Sequence, residues 1–417
     1  MKELLAKRSL LLHLVMLRLG VNAFPNLSET NPEAPSQRPP VSNAKERKIL
    51  IVGMSESPHL YTWIEGIADS GIADKVWLFP SDLPLGKLKS SKIKVIEFPY
   101  IFIGIPTKLI FRILDLITNR LWRSYFLLRE INRIRPTHLH FHETQHGAYI
   151  YNPIAKHPKN KFVGTIILST WGSDLIAFGK IESHLPKIQQ VMSWVNLLTS
   201  ERKEDEQIAL TNGFSGRFLA PIYITIGRKN LDCDFKKTSD RSSVIVKGYQ
   251  DTHGRALNAL ASIELLAEEI DISKFTFKVF SASKPVKQRS KIMRKELGID
   301  IEILPRMPKS ILMRHFAESR VYLGLAMSDG LSTSMVEAMS YGAFPIQSEN
   351  SAAPEFLINE FTGGVVDPLN IREITNLLRI ALQNNELVDQ AASLNVERLQ
   401  AKYNWDIGLK RLAEVYE

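Results

Sequence analysis

Two acids flank the start of a predicted helix in the segment 328–346, which reads SDGLSTSMVEAMSYGAFPI. Asp329 and Gly330 are predicted to lie on a loop, and Glu337 is predicted to lie within the helix. The first backbone N–H groups of a helix have no partner inside it and attract negative charge. The segment therefore predicts a phosphate site formed by the N–H groups and hydroxyls at the helix start: Leu331, Ser332, Thr333 and Ser334.

A simpler interpretation covers part of this pattern. Ser334 and Glu337 have the spacing of a capping box, in which the two side chains satisfy free N–H groups at the start of a helix. A capping box leaves Asp329 and Gly330 without an explanation. Both interpretations stay open when these residues are considered alone.

Short apolar runs, which predict strands, alternate with amphipathic segments from Lys48 onward. Continuous β-branched runs are typical of parallel strands covered on both faces. A polar segment, 230–243, divides the candidate strands into two series. The sequence predicts an α/β protein with two tandem, doubly wound, Rossmann-like domains. The candidate strands are 49–54, 75–79, 94–98, 138–142, 162–170 and 195–200, and then 244–249, 277–282, 301–305, 321–327 and 343–348.

The polar residues that could do chemistry follow these strands. Lys247, Asp329 and the segment 171–174 (WGSD) each come at the end of a candidate strand, and His59 comes soon after the first. Ligands of doubly wound sheets bind beyond the carboxyl ends of the strands. We therefore expect two such sheet edges, one in each domain, to face each other across a cleft.

Length, composition and charge indicate the class of this protein and the kind of partner that it binds. A chain of 417 residues with 44% hydrophobic and 23% charged residues suits a soluble protein of two domains. The formal charge of +9 predicts anionic partners, but no nucleic-acid-binding motif accompanies it, so we expect no nucleic acid. The single cysteine, Cys233, excludes an intrachain disulfide and a cysteine-based zinc site. A single cysteine is consistent with a reducing, cytoplasmic location.

The segment 320–368 resembles the donor site of the retaining GT-B glycosyltransferases of family 4, of the glycosyl transferases group 1 type. In that family an acid, a Gly and a small residue lead into a helix that carries a second acid. The resemblance implies that Asp329 contacts the sugar of a nucleotide-sugar and that Glu337 binds its ribose. The family normally has Glu where this chain has Asp329, so the side chain here is one methylene shorter. The implied donor-binding residues are Gly330, Leu331, Ser332, Thr333 and Glu337.

The resemblance also implies that Lys247 and Arg255 grip the donor diphosphate, although their order and spacing differ from the common pattern. Cations and helix N-termini stabilise the charge that a departing diphosphate gains when no metal is present. The resemblance implies that neither a metal nor another cofactor is required. The alternative is that Lys247 and Arg255 are solvated surface charges, as most such residues are.

On the acceptor side the resemblance implies roles for His59 and for Trp171, Gly172, Ser173 and Asp174. Many family members have His where this chain has Trp171; Trp transfers no proton but stacks on a sugar and offers an N–H donor. Asp174 either orders its loop or receives an acceptor hydroxyl. The structural alternatives are a Trp171 packed beneath the cleft and a His59 without a chemical role. The histidines at 138, 140, 142 and 146 suggest a metal by their density, but the family has none there.

Residues 106–135 predict an amphipathic helix whose basic side carries Lys108, Arg112, Arg120, Arg123, Arg129 and Arg133. Such a helix suits an anionic membrane surface, or simply covers the sheet with a solvated basic face. Residues 1–24 have a charged start and an apolar run interrupted by His13 and Arg18; we expect either a poorly ordered extension or a membrane-contacting helix. The expected divisions are 1–46 for extension and linker, 47–235 and 236–403 for the domains, and 404–417 for a helix that crosses back.

Taken together, these features predict a metal-independent, retaining glycosyltransferase with the GT-B fold. It would move a sugar from a nucleotide-sugar to a glycan or lipid-linked acceptor during synthesis of a surface polysaccharide or glycolipid, at the cytosolic face of a membrane. Two alternatives stay open: a nucleotide-sugar epimerase of the same fold, and a catalytically inactive binding or scaffold protein.

Overall fold

The computed structural model describes residues 46–82, 93–96, 107–219, 221–223, 236–358 and 361–417. Two parallel sheets form the centres of two domains. The first sheet has the strand order β3-β2-β1-β4-β5-β6-β7. Its strands are β1 (Lys48–Gly53), β2 (Lys75–Pro80), β3 (Lys94–Val95), β4 (His138–His142), β5 (Thr165–Ser169), β6 (Leu197–Thr199) and β7 (Arg217–Leu219).

The second sheet has the order β10-β9-β8-β11-β12-β13. The sequence order of the strands across the sheet reverses between β8 and β11. Its strands are β8 (Ser243–Lys247), β9 (Thr276–Phe280), β10 (Ile301–Ile303), β11 (Ser319–Gly324), β12 (Phe344–Ser348) and β13 (Gly364–Val366). All of the strand pairings in both sheets are parallel, and the central strands are buried on both faces, as their continuous apolar runs predict. The predicted α/β class with two doubly wound domains is confirmed.

Helices cover the faces of both sheets. In the first domain they are Pro58–Ser70, Thr107–Thr118, Leu121–Ile134, Ser173–Ile176, Leu185–Met192 and Glu204–Thr211. In the second domain they are Ala256–Glu269, Lys284–Glu296, Lys309–Ala317, Thr333–Ser340, Ala353–Phe356, Ile371–Gln383 and Asn385–Lys402.

A last helix, Trp405–Glu414, follows the second domain in the chain but packs against the helix Pro58–Ser70 of the first. The side chain of Asn404 caps its start by accepting a hydrogen bond from the N–H of Ile407 at 3.0 Å. Beyond it, Tyr416 is buried in the first domain, where its hydroxyl lies 2.5 Å from Nδ1 of His140. The core of the first domain therefore contains residues that precede the second domain in the sequence and residues that follow it.

The prediction of a single helix over 106–135 is wrong. It divides at Asn119 and Arg120, which have positive φ angles of 47° and 66°. Arg123 does not lie on an exposed basic face either: it is buried, and its guanidinium pairs with Asp115 and donates to the carbonyl of Ser81. A guanidinium taken out of water needs such partners, so Arg123 is structural.

Two strands were not anticipated. β13 extends the second sheet beyond β12. β7 extends the first sheet beyond β6. Each has three residues.

None of the helices in the described part of the chain is long and apolar enough to cross a membrane. Residues 1–45 lie outside the described residues, so the two expectations for the N-terminal segment stay predictions.

Candidate active site

The centre of the candidate site is an ion pair at the carboxyl edge of the second sheet. Lys247 is the last residue of β8, and Asp329 follows the neighbouring strand β11. Nζ of Lys247 lies 3.1 Å from Oδ2 of Asp329 and 3.4 Å from Oγ of Ser332. Burial lowers the pKa of Lys247. The charge of Asp329 and the nearby tyrosines raise it by more, so that the pKa is raised overall. The ammonium group is therefore fixed as a cation.

The predicted loop and helix start are present beside this pair. Ser332 is the N-cap residue of the helix Thr333–Ser340, and its side chain makes no capping hydrogen bond. Ser334 lies inside the helix, where its hydroxyl is 2.9 Å from that of Tyr322, so the capping-box interpretation of Ser334 and Glu337 is wrong. The buried hydroxyl of Thr333 has no hydrogen-bond partner among the described residues. This end of the helix thus keeps polar groups that a ligand can use.

Glu337 lies one turn further along the same helix and pairs with Lys309, at the start of the helix Lys309–Ala317. Its side chain is 21% exposed, whereas that of Lys309 is 62% exposed. Because Lys309 is solvated, its ion pair with Glu337 contributes little, and ligand hydroxyls can replace it.

Arg255 is the N-cap residue of the helix Ala256–Glu269. Its Nη1 donates to the carbonyls of Asp251 and Gly254, at 3.1 and 2.8 Å. The same loop is held against the segment after β11, because the N–H of Met327 donates to the carbonyl of His253 at 2.7 Å. The structure thus places Arg255 beside the candidate site, with its guanidinium bonded to its own loop. Its proposed contact with a diphosphate stays a prediction.

His59 and Trp171 face this pair from the first domain. Their ring centroids are 5.2 Å apart. Burial lowers the pKa of His59, while the charge of Asp329 works to raise it and that of Lys247 to lower it further. The structure therefore brings His59 of the first domain close to the ion pair of the second. The buried indole N–H of Trp171 has no partner among the described residues.

Asp174 orders the loop that carries Trp171. Its Oδ2 accepts the N–H of Trp171 at 2.8 Å, and its Oδ1 accepts the N–H of Thr144 at 2.5 Å. Burial raises the pKa of Asp174, an effect that these backbone hydrogen bonds oppose. Of the two expectations for Asp174, the observed contacts are those of loop ordering. Ser173 begins the short helix Ser173–Ile176 beside it.

Gly172 and Gly330 bring the two domains into direct contact. Gly172 has a φ angle of 98°, and a Cβ atom added there would lie 2.1 Å from the backbone nitrogen of Gly330. Real Cβ atoms do not approach a backbone atom so closely, so only glycine fits at this contact. The two sheet edges that the sequence analysis expected to face each other do so through these residues.

Part of the chain matches a known family. Residues 258–395, which include Asp329 and Glu337, match the family model described as Glycosyl transferases group 1. No curated protein matches the chain by sequence.

Solved structures resemble nearly the whole chain. Sucrose-phosphate synthase from Thermosynechococcus elongatus superimposes with a TM-score of 0.67 at 14% identity, covering 89% of this chain and 98% of the other. A glycosyltransferase from Rickettsia africae gives 0.64 at 12% identity, covering 90% and 98%. An E. coli structure described as trehalose-6-phosphate bound with UDP-2-fluoro glucose gives 0.62 at 13% identity, covering 89% and 97%.

The chain has the GT-B fold. The space between the two sheet edges is therefore a GT-B cleft, and the pair of Lys247 and Asp329 lies on its second-domain side.

The GT-B cleft also contains a residue that the sequence analysis missed. Glu201 follows β6, and its Oε2 accepts the N–H of Leu331 across the cleft at 2.8 Å. In return, both carboxylate oxygens of Glu355 accept the N–H of Lys203, at 3.0 and 3.1 Å. The strand-end rule that selected Lys247 applies equally to Glu201, which comes two residues after β6.

Glu143 is a second unpredicted residue at the carboxyl edge of the first sheet. It follows β4 directly and has a φ angle of 65°. Burial, together with the charges of Asp174 and Asp82, raises its pKa to about 8. A non-glycine residue in this backbone conformation with a shifted pKa is often functional.

The histidines of β4 form a buried stack beneath the GT-B cleft. The rings of His140 and His142 are 4.2 Å apart, and His142 lies 5.4 Å from Trp171. Burial lowers the pKa of His142 to about 3 and that of His138 to about 4. No group of three potential metal ligands was found among the described residues. These histidine rings are therefore neutral at physiological pH, and His142 packs against Trp171.

Proposed function

We propose that this chain is a metal-independent, retaining glycosyltransferase that moves a sugar from a nucleotide-sugar to a glycan or lipid-linked acceptor. One observation carries the proposal: the ammonium group of Lys247 is held by Asp329 beside an uncapped helix start, at the carboxyl edge of the second sheet. Two independent sources of positive potential thus converge where a diphosphate would lie. The match of residues 258–395 to the glycosyltransferase family model supports the same proposal.

The chemistry follows from where charge develops. When the bond between the anomeric carbon and the diphosphate breaks, the diphosphate oxygen gains negative charge. Lys247 and the N–H groups before the helix Thr333–Ser340 would stabilise that charge, as pre-positioned donors do in other enzymes. Asp329 keeps Lys247 in place and would contact the sugar. The neutral ring of His59 lies on the opposite wall, where it would contact the sugar without adding charge.

A panel of nucleoside diphosphates tests the donor site. UDP, GDP and ADP are added separately, with and without Mg²⁺ and with a chelator, and the thermal unfolding midpoint is recorded. A ligand that binds the folded state raises this midpoint. We expect one diphosphate to raise it, with or without Mg²⁺. A strict need for a divalent ion would refute the metal-independent mechanism. A failure of every diphosphate to bind would favour the scaffold alternative.

Glu337→Gln tests the assignment of the ribose contact. Loss of a hydrogen bond to a charged group should weaken nucleotide binding by about 10- to 100-fold in titration calorimetry. Folding should change little, because glutamine keeps the shape of the side chain and the lost partner, Lys309, is 62% exposed. The matched control is Lys309→Ala, which breaks the same ion pair but keeps the carboxylate. If both variants bind nucleotide like the unmodified chain, Glu337 does not contact the ribose.

Transfer itself is measured with the diphosphate-sugar of the base that binds best and with glycan or membrane-lipid acceptors. Formation of a product with the donor's anomeric configuration is the expected result. Conversion of the donor to its epimer without an acceptor would support the epimerase alternative instead.

We further propose that the region 106–135 contacts anionic headgroups, in a cytoplasmic protein peripheral to the membrane. Arg120, Arg129 and Arg135 are exposed there, and Leu116 is 77% exposed. Basic residues near an anionic bilayer contribute about 1 kcal/mol each. Changing these three arginines to glutamine should therefore reduce sedimentation with vesicles of equal phosphatidylglycerol and phosphatidylcholine by about 100-fold in affinity.

The control for the vesicle experiment changes three exposed lysines of the second domain to glutamine, at 287, 291 and 295 in the helix Lys284–Glu296. This variant has the same total charge and should bind vesicles like the triple arginine variant only if binding is unspecific. Deletion of residues 1–46 tests the N-terminal segment. Binding that survives the arginine changes but not the deletion would refute the role of the region 106–135.

A further inference from the structure

Ser332 occupies the N-cap position of the helix Thr333–Ser340, but its hydroxyl makes its contacts elsewhere. Its backbone is extended, and a serine at this position usually accepts an N–H of the first helical turn. No such bond forms here. Instead, Oγ of Ser332 lies 3.4 Å from Nζ of Lys247 and 3.3 Å from the hydroxyl of Tyr322. The N–H groups of the first turn are therefore left without a serine cap.

Tyr322 is the buried centre of this arrangement. It lies on β11 and is fully buried, and its hydroxyl contacts Ser334 at 2.9 Å as well as Ser332. Burial raises the pKa of Tyr322, an effect that the charge of Lys247 opposes, so the hydroxyl keeps its proton. A protonated hydroxyl both donates and accepts, so it can bond to two serines at once. Ser332 and Ser334 are also 3.3 Å apart, and the three hydroxyls form one cluster beside Lys247.

A glycine in the same strand leaves room for the Tyr322 hydroxyl. Gly324 lies two residues after Tyr322, so the two residues face the same side of the sheet. A Cβ atom added to Gly324 would lie 2.6 Å from the hydroxyl oxygen of Tyr322 and 2.7 Å from Oε1 of Gln347. Glycine weakens the interior of a strand and often marks a close approach of neighbouring groups. A larger residue at this position would force one of the two side chains to shift.

A Ser332 hydroxyl that turned toward the helix would compete with a ligand. A serine cap accepts the N–H of the second or third helical residue, here Ser334 or Met335. Free N–H groups at a helix start are also those that bind phosphate groups. The contacts with Tyr322 and Lys247 keep the serine oxygen occupied on the other side. The helix start therefore offers its N–H groups without an internal competitor.

We propose that Tyr322 is a positioning residue of the donor site, which holds the Ser332 hydroxyl away from the helix start and keeps the first N–H groups available to the diphosphate. This inference rests on the proposed function. Tyr322 acts through Ser332 and does not itself touch the donor. Without its hydroxyl, Ser332 turns and caps the helix. The apparent affinity for the diphosphate then falls with the fraction of molecules that remain uncapped.

Titration calorimetry tests the proposal, with whichever of UDP, GDP and ADP binds the unmodified chain best. We expect Tyr322→Phe to bind it about three- to tenfold more weakly, because the serine cap must first be broken. The deciding variant combines Tyr322→Phe with Ser332→Ala and has no hydroxyl that could form the cap. It should bind as tightly as Ser332→Ala alone. A tyrosine that only supports the core would give the double variant a further loss, and that result would overturn the proposal.

Tyr341→Phe is the matched control. Tyr341 is also a buried tyrosine, but it lies at the other end of the helix Thr333–Ser340. Loss of its hydroxyl should leave the diphosphate affinity unchanged. An unchanged affinity in Tyr322→Phe, or an equal loss in Tyr341→Phe, would contradict a specific role of Tyr322 at the helix start.

The urea midpoint of unfolding, measured without ligand, tests the same step independently of the proposed function. Ser332→Ala should lower this midpoint more in Tyr322→Phe, where the cap has formed, than in the unmodified chain, where it has not. Equal effects of Ser332→Ala in both proteins would overturn the proposal, because they would show that the two side chains act independently. If no nucleoside diphosphate binds the unmodified chain, the proposed function fails. The urea comparison then decides alone whether Tyr322 diverts Ser332.

Discussion

Replacing Lys247 with alanine is expected to lower kcat/KM for sugar transfer by about 100- to 1,000-fold, the usual effect of removing one pre-positioned donor from a developing negative charge. Nζ of Lys247 donates a hydrogen bond to Oδ2 of Asp329 at 3.1 Å. The loss should appear in kcat as well as in KM, because the diphosphate carries more charge in the transition state than in the bound donor. Steady-state kinetics at several donor concentrations separate the two.

Lys278→Ala is the matched control for Lys247→Ala. Lys278 lies on the adjacent strand β9 and forms a similar ion pair, with Glu318 at 3.0 Å. Glu318 follows the helix Lys309–Ala317 and precedes β11, so that pair lies at the opposite edge of the sheet. Its loss should leave kcat unchanged. Equal losses of activity in both variants would mean that ion pairs stabilise the domain and that Lys247 has no role in transfer.

Gly172→Ala is expected to block full closure of the cleft and to lower kcat by at least about 100-fold, since misplacement by about 1 Å can have this effect. The new methyl group would meet the backbone of Gly330 at 2.1 Å. Nucleoside diphosphate binding should persist, because the donor-binding residues belong to the second domain alone. The ligand-free radius of gyration should increase. Transfer kinetics, calorimetry and small-angle scattering measure the three effects.

Gly213→Ala separates the steric effect from the backbone effect. Gly213 has a φ angle of 90°, close to the 98° of Gly172, but no atom lies within 4 Å of a Cβ atom added there. Both substitutions therefore carry a similar conformational cost of about 1 kcal/mol in the free energy of unfolding. Only Gly172→Ala should affect transfer. Normal activity in Gly172→Ala would show that the contact with Gly330 is not needed during the reaction.

The strand-end rule located much of the candidate site from the sequence. Lys247 and Asp329 were placed at the carboxyl ends of two predicted strands, and those strands, β8 and β11, are neighbours in the sheet. Buried parallel strands have a strong signal, because their apolar runs are continuous. The rule also placed His59 and Trp171 on the opposing edge, where the structure has them 5.2 Å apart.

The contacts of Glu201 and Arg123 could not be predicted in the same way. Glu201 contacts Leu331 only because the two domains have a particular relative orientation, which no local pattern encodes. Arg123 has helical spacing from its basic neighbours, but the backbone turn at Asn119 and Arg120 rotates it toward Asp115. A helical period in a sequence continues through such a turn unless glycine or proline marks it. Long-range orientation and unmarked turns thus account for the main errors.

The position of Tyr416 has a consequence for the order in which the protein can be made. Tyr416 closes a buried hydrogen-bond network in the first domain, from its hydroxyl through His140 to Ser169, at 2.5 and 2.7 Å. The residues that complete this network emerge from the ribosome only after the whole second domain has been synthesised. During translation, the first domain therefore lacks the Tyr416 hydroxyl as a partner for His140 until the end of the second domain has been synthesised. A chain that stops within the second domain would leave this hydrogen-bond network incomplete.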